Sequence, residues 1–352
     1  MSEAHSALSL RRVLMIVLPV AIVGFGAYLW SKTLVPAAQE EMTTDVLARM
    51  FTSDTALAAQ SMSFPDKDGD LVADPPADAS KIIEPQVLMF SYVASQEESS
   101  PEEAWAELLK AVSEKTGREV KFVKYENVDE QLDALNKGDL HIAGLNTGIV
   151  PPAVQRDGFV PLCTFGHEDG TFGYTMQFLV PADSPIKKLE DIKGHKVTFT
   201  RLDSNSGCKA PLVLLQDKYK MLPERDYQWG FSQGHEDSVK HVAAKEFDVA
   251  PVASDVLARM VEKGEVDPAA YRSIHESERF PPATIGVAYN LKPEMRDAIQ
   301  VTLLEFNWDG TGLQKEFGPE VTKFVPVKYK DDWANIRRID QVIAQARARK
   351  AT

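Results

Sequence analysis

Apolar residues recur along this chain in two rhythms. From residue 84 onward, short apolar runs suited to buried strands alternate with stretches where apolar side chains return every three or four positions, the spacing of one helix face. The runs predict strands over 87–90, 120–125, 140–145, 160–165, 174–180, 196–200, 227–231, 247–252, 271–276 and 285–289. The helical spacing predicts helices over 101–116, 128–136, 187–192, 211–218, 236–244, 254–263, 292–305 and 334–348. Gly117 and Gly138 stand where two of these helices need a stop. Strands alternating with helices make an α/β fold with parallel sheets. Extended passages near 173–182 and 283–289 bracket a segment of ordinary domain size. That is the order of two lobes joined by two crossing strands, with a ligand cleft between them.

Residues 13–30 follow neither rhythm. They form an apolar run of about eighteen residues, just enough for a membrane span, behind Arg11 and Arg12. No lipobox cysteine and no small-x-small cleavage site closes the run, which favours an uncleaved anchor with the arginines on the cytoplasmic side over a cleaved signal. The body of the protein is exported in either case. The expected order is a membrane segment (1–32), a stalk (33–83), a first lobe from 84–180 and 285–330, a second lobe from 181–284, and a C-terminal helix (331–352).

The formal net charge of −13 and the absence of any basic run argue against nucleic acid. An acidic protein of this kind binds an anion with local dipoles rather than with its overall field. The two cysteines, Cys163 and Cys208, read either as a disulfide of an exported protein or as two buried small residues. In the stalk, Asp66, Asp68, Asp70 and Asp74 fall at positions one, three, five and nine of a calcium-loop spacing, which would let carboxylates converge on one hard cation. Leu71 stands at the usual glycine position and no glutamate closes the loop, so calcium and a solvated acidic turn both remain open.

The chemistry of the body concentrates at strand ends. Ser204, Asn205, Ser206 and Gly207 lie between a strand and a helix, where the first N–H groups of the helix and its dipole favour an anion. Gly234-His235 opens a second helix after a strand, Phe247-Asp248 precedes Ser254-Asp255 at the start of a third, and Gly173-Tyr174 marks the first crossing. Singly, each has a bland reading: a helix cap for Ser204, His235 or Asp255, a strand-end residue for Asp248, a packing aromatic for Tyr174.

Together these passages resemble the phosphate/phosphite/phosphonate-binding proteins of ABC importers, a family with the two-lobed type II periplasmic-binding-protein fold. The likeness runs from about residue 87 to 329. It is carried by Gly173-Tyr174, Asp183-Ser184-Pro185-Ile186, Leu189-Glu190-Asp191-Ile192-Lys193-Gly194, Asp203-Ser204-Asn205-Ser206-Gly207 with Pro211, Gly234-His235, Phe247-Asp248 and Asp255. Asn205 replaces the family's usual threonine. The acid that follows Ile-Pro in aminoalkylphosphonate binders is missing from Phe280-Pro281-Pro282-Ala283-Thr284, and the family's first-lobe aromatic falls near Val128. Both departures remove features suited to a charged amine tail.

The resemblance implies a small phosphorus oxyanion: phosphate, phosphite or a simple phosphonate. Ser204, Asn205, Ser206, Gly207 and His235 would donate to it, Asp255 would accept the P–OH proton, and Tyr174 would cap it. It implies an ABC permease as partner, residence at the periplasmic face of the membrane, and no required cofactor. The alternative is a ligand-sensing module of the same shape that reports to a membrane kinase. An enzyme is disfavoured, since no nucleophile, metal cluster or cofactor motif accompanies His235 and Asp255.

Overall fold

The computed structural model describes residues 23–29, 32, 46–47, 49–51, 62–93, 102–318 and 321–348. The chain divides into two units, Phe51–Gln345 and a smaller one made of Met1–Met50 with Ala346–Thr352. In the smaller unit, residues 23–29 are helical and exposed. Most of the apolar run at 13–30 lies outside the described residues; among those described, no helix is long and apolar enough to cross a membrane.

In chain order the larger unit holds β1 (Val87–Val93), α1 (Glu102–Thr116), β2 (Glu119–Phe122), α2 (Val128–Lys137), β3 (Ile142–Leu145), β4 (Phe159–Gly166), β5 (Tyr174–Pro181) and β6 (Lys196–Phe199). After a wide turn at Asn205–Lys209 come α3 (Ala210–Asp217), β7 (Gln228–Phe231), α4 (His235–Ala243), β8 (Ala250–Ala253), α5 (Ser254–Glu262), β9 (Tyr271–Phe280) and β10 (Thr284–Ala288). The chain closes with α6 (Pro293–Glu305), α7 (Gly312–Phe317), β11 (Lys323–Pro326) and α8 (Ala334–Ala348).

Local sequence explains several of these limits. The Asn127 side chain accepts the Glu130 N–H at the start of α2, and Gly138 closes that helix in the left-handed region at φ +80°. In α1 the residues Ala104, Trp105, Leu108, Leu109 and Val112 share the buried face, each large member worth roughly 1.5–3 kcal/mol of burial. Gly117, at φ +65°, ends it.

The first lobe is a six-stranded sheet in the order β11-β4-β10-β3-β1-β2. Its core is rich in rings: Phe90 and Trp105 are 4.9 Å apart between centroids, and Phe165 lies 4.8 Å from Phe317. The second lobe pairs β6 with β7 and places β5 between β8 and β9. A bridge between Val197 and Val249, with the Thr198 N–H donating to the Val249 carbonyl at 2.9 Å, joins the two sets of strands.

The sheets are mixed rather than parallel. β1 is parallel to β2 and β3, and β6 to β7, but β10 runs antiparallel to β3 and β4, and β5 antiparallel to β8 and β9. For β5 and β10 the reason is the crossing itself: a strand that enters a lobe from the other one arrives in the reverse direction; β11 also runs antiparallel to β4. β5 belongs to the second lobe's sheet, so the chain crosses within 167–173, ahead of the boundary expected at 180, and returns at 281–283. Residues 62–83, expected as the end of a stalk, lie against the first lobe. The Phe64 and Tyr289 rings are 4.5 Å apart, Ser63 N–H donates to the Gln155 carbonyl, and Ile83 bridges to Leu291. Ala73 is buried there, and Val72 and Ile83 pack against the first lobe's core, apolar contacts that a free stalk would not need.

Candidate functional site: a polar corner in the interlobe cleft

The strands β6, β7 and β8 end on the same side, and each is followed by a helix N-terminus. The wide turn at Asn205–Lys209, α4 at His235 and α5 at Ser254 therefore aim their unpaired N–H groups and positive dipole ends into one corner. This corner lies in a cleft of about 510 Å³ lined by both lobes.

A chain of hydrogen bonds assembles the corner. The Ala253 N–H donates to His235 Nδ1 at 3.1 Å, so the neutral ring carries its proton on Nε2. Nε2 lies 3.2 Å from Ser204 Oγ and donates to it. The same oxygen accepts the Gly207 N–H at 3.0 Å. With both acceptor positions filled from within the protein, the Ser204 hydroxyl hydrogen is left to donate elsewhere. His235 thus serves as an orienting group.

Beside it, Asn205 is 2% exposed, and neither its amide nitrogen nor its oxygen has a hydrogen-bond partner. Ser206 is equally buried. Asp255 places Oδ2 3.8 Å from Arg259, while Oδ1 is buried with no hydrogen bond. Tyr174 closes the group. Burial raises the pKa of its phenol, the hydroxyls of Ser206 and Thr147 and the Asn205 amide act against that, and the Asp255 charge adds to it. Ser204, Asn205, Ser206, His235, Asp255 and Tyr174 all line the cleft, so the structure brings together six residues spread over 82 positions from 174 to 255.

Gly207 is not among the lining residues. A Cβ there would sit 1.8 Å from Thr200 Oγ1, so the glycine lets the helix approach the end of β6, and its N–H is spent on Ser204. Asp248 also lies apart: its carboxylate accepts the Lys196 N–H at the opposite end of the strands. Val128 is buried at the start of α2 and does not reach the cleft; the first lobe's aromatics there are Tyr92, Phe165 and Phe317. The alternation Leu88, Phe90, Tyr92 along β1 carried the signal for Tyr92, but the predicted strand stopped at 90.

Sequence reasoning also missed what the first lobe contributes after β3. Asn146 Nδ2 donates to Asp203 Oδ2 at 3.0 Å, and Thr147 Oγ1 to the Pro281 carbonyl at 2.7 Å. Gly148 lies so close to the corner that a Cβ would meet the Asp203 carbonyl at 2.2 Å. Behind the corner, Lys209 Nζ donates to the Gly148 carbonyl at 2.7 Å and sits 3.0 Å from Asp340 of α8, both side chains fully buried. No local pattern marks such pairs. Cys163, in the first lobe, and Cys208, in the second, are both buried free thiols, which corrects the disulfide reading.

In the Asp-rich loop, Asp66, Asp68 and Asp70 bring oxygens within 4.8 Å of one another, but Asp74 instead accepts the Lys67 N–H. Asp66 accepts from Gly69, Asp70 and Leu71, Asp68 from Asp70, and Asp70 from Val72. Burial, with the neighbouring aspartates adding to it, raises the pKa of Asp70. Leu71, at the position where the calcium-loop pattern has glycine, is held at φ +66°.

A family model described as the periplasmic substrate-binding protein of ABC phosphonate transporters matches residues 90–333. The chain belongs to this family. The family is one of binding proteins, not of enzymes, and requires no cofactor. Among solved structures, this binding protein is similar to a Xanthomonas citri protein bound to ATP, at TM-score 0.62 and 19% identity over 74% of this chain and 99% of that one. A Pseudomonas aeruginosa binding component of an ABC phosphonate transporter matches at TM-score 0.59 and 19% identity, over 76% and 99%. A Prochlorococcus marinus protein in complex with methylphosphonate matches at TM-score 0.63 and 15% identity, over 74% and 100%. At these identities the likeness is one of fold.

Proposed function

We propose that this protein captures a phosphorus oxyanion (phosphate, phosphite or a phosphonate) in the corner at Ser204 and delivers it to an ABC permease. The observation that carries the reading is a pair of buried groups in two residues that line the cleft: Asp255 Oδ1, which makes no hydrogen bond, and the Asn205 amide, whose one polar influence is on the Tyr174 phenol. Leaving such groups unpaired costs about 1–3 kcal/mol each, and a ligand that has several acceptor oxygens and one proton would satisfy both. Ser204, Asn205, Ser206 and the helix N–H groups donate to its oxygens, Asp255 accepts its P–OH, and Tyr174 covers it as the lobes close. Sulfate, fully ionised, has no proton for Asp255 and is rejected. Gly207 serves this site through packing. Membership of a transport family favours delivery over signalling to a kinase.

The same proposal holds the protein at the periplasmic face of the membrane by its N-terminal segment. Val23, Phe25, Tyr28 and Leu29 are large exposed apolar residues of the helical stretch there, which suits insertion into lipid. Arg11 and Arg12 would stay on the cytoplasmic side. A structural calcium at Asp66, Asp68 and Asp70 fits the three close carboxylates and the left-handed Leu71, with Asp74 outside the set.

Titration calorimetry of the purified chain tests the central reading. Phosphate or methylphosphonate should bind with released heat and sulfate should give none. Equal binding of sulfate, or no binding of any phosphorus oxyanion, would sink it.

A further inference from the structure

The cleft is too large for the group its corner recognises. A five-atom oxyanion takes the room of a few waters, on the order of 100 Å³ at roughly 30 Å³ per water. The cavity of about 510 Å³ falls instead among pockets for ligands with a substantial organic part. The cleft is partly open to solvent, but the lobes already touch at both ends of it. Asn146 reaches Asp203 at 3.0 Å and Lys209 reaches the Gly148 carbonyl at 2.7 Å behind the corner. At the far end, Lys263, just past α5 of the second lobe, lies 3.8 Å from Glu316 in α7 of the first.

The shape of the excess follows from the elements that line it. Along α5 the lining runs from Asp255 to Lys263 just past its end, which is about 12 Å at 1.5 Å per residue. On β5 it takes in Tyr174 on one face of the strand and Thr175 and Gln177 on the other. The register sets Glu276 opposite Gln177 and Arg279 opposite Thr175, so the second lobe's wall is polar and charged along this length. Arg279 meets no carboxylate within ion-pair distance among the described residues, whereas Glu276 accepts the Thr175 hydroxyl at 2.8 Å. The facing wall of the first lobe sets the edges of the nearly buried rings Phe165 and Phe317, with Val321, beside the polar His167 and Glu316.

We infer that the ligand is a phosphonate or phosphate monoester with an extended organic substituent, of about the size of one ring or more, seated in a chamber beyond the corner. The substituent has an apolar face, which lies on Phe165 and Phe317, and a hydrogen-bonding edge, which meets Arg279 and Glu276. This rests on the oxyanion reading of the corner and adds the substrate class to it.

Calorimetry of the full chain against phosphate, methylphosphonate, phenylphosphonate and adenosine 5′-monophosphate, with benzoate as a control, tests it. Phenylphosphonate or the nucleotide should bind about tenfold or more tightly than methylphosphonate. Ala258→Phe, at a half-exposed position of α5 that lines the chamber, should erase that gain while methylphosphonate stays within about twofold of wild type. Arg279→Met, at an exposed strand position, provides a second variant and should weaken the nucleotide more than phenylphosphonate. Affinity that is flat or falls with substituent size, or an Ala258→Phe effect equal on both ligands, overturns the chamber while leaving the corner intact. Benzoate binding as well as phenylphosphonate, with phosphate and methylphosphonate silent, overturns the corner and the inference with it.

Discussion

Two regions of this molecule gather oxygen-bearing side chains, and they spend them in opposite ways. In the Asp-rich loop every carboxylate of the set accepts N–H groups of its own loop, Asp66 alone taking three. In the cleft corner the polar groups are drawn from three helix starts; Asp255 Oδ1 makes no hydrogen bond, and the Asn205 amide has only the Tyr174 phenol to act on. The loop is a set of turns that folds itself. The corner is held by the rest of the protein with valences left over. What distinguishes a recognition site from a polar cluster is therefore the unspent capacity held in place under burial.

The largest effect should come from behind the corner. Lys209 ties the wide turn to Gly148 and to Asp340 with no exposure to solvent. Lys209→Met leaves a buried carboxylate without its cation and should cost about 3–5 kcal/mol in urea unfolding. Lys209→Met with Asp340→Leu should recover most of the loss. If the single variant unfolds like wild type, the corner is not braced in this way, and the contrast with the self-folded loop weakens.

Next comes the corner itself. Ser204→Ala with Ser206→Ala should weaken phosphorus oxyanion binding by about 2–4 kcal/mol, the usual worth of charge-assisted hydrogen bonds. Its cost in stability should be near 1 kcal/mol, from the lost cap on Gly207. Calorimetry beside thermal unfolding separates the two numbers. Unchanged affinity would return the turn to a capping role and make corner and loop alike.

A smaller, selective change should follow at Asp255. With Asn in its place an amide donor faces the ligand where the carboxylate repels it, so sulfate should gain about tenfold while phosphate changes less. A folded Asp255→Asn protein with the wild-type phosphate-to-sulfate ratio would leave Asp255 as a helix-start residue only.

The loop should respond least. Its carboxylates already have partners, so calcium should bind near the weak extracellular end of the range, about 0.1–1 mM. A chelator should alter proteolysis around residues 62–78 and leave oxyanion affinity intact. Loss of affinity on chelation would join the two regions that their geometry keeps apart.

Much of this could be read before the structure. The turn Ser204-Asn205-Ser206-Gly207, the strand ahead of it and the helix after it are local, and local polar chemistry at a helix start is legible from a dozen residues. Tyr92 was lost by ending a strand three residues early. Thr147 and Lys209 gave no signal at all, since their partners Pro281 and Asp340 stand 134 and 131 positions away.

By itself, the sequence determined the order of elements from β1 to α6, the helix stops at Gly117 and Gly138, the polar turns at three strand ends and the acidic loop, because each depends on residues within a few positions of one another. Tertiary structure alone decided the reversed direction of β5 and β10, the separation of Cys163 from Cys208, and the docking of residues 62–83 on the first lobe. It also decided which polar atoms stay unpaired in the corner and how far the cleft extends beyond them. Those depend on which distant groups come within hydrogen-bonding distance. Period and turn chemistry carry no record of that, since a side chain's saturation is a property of its surroundings rather than of its place in the chain.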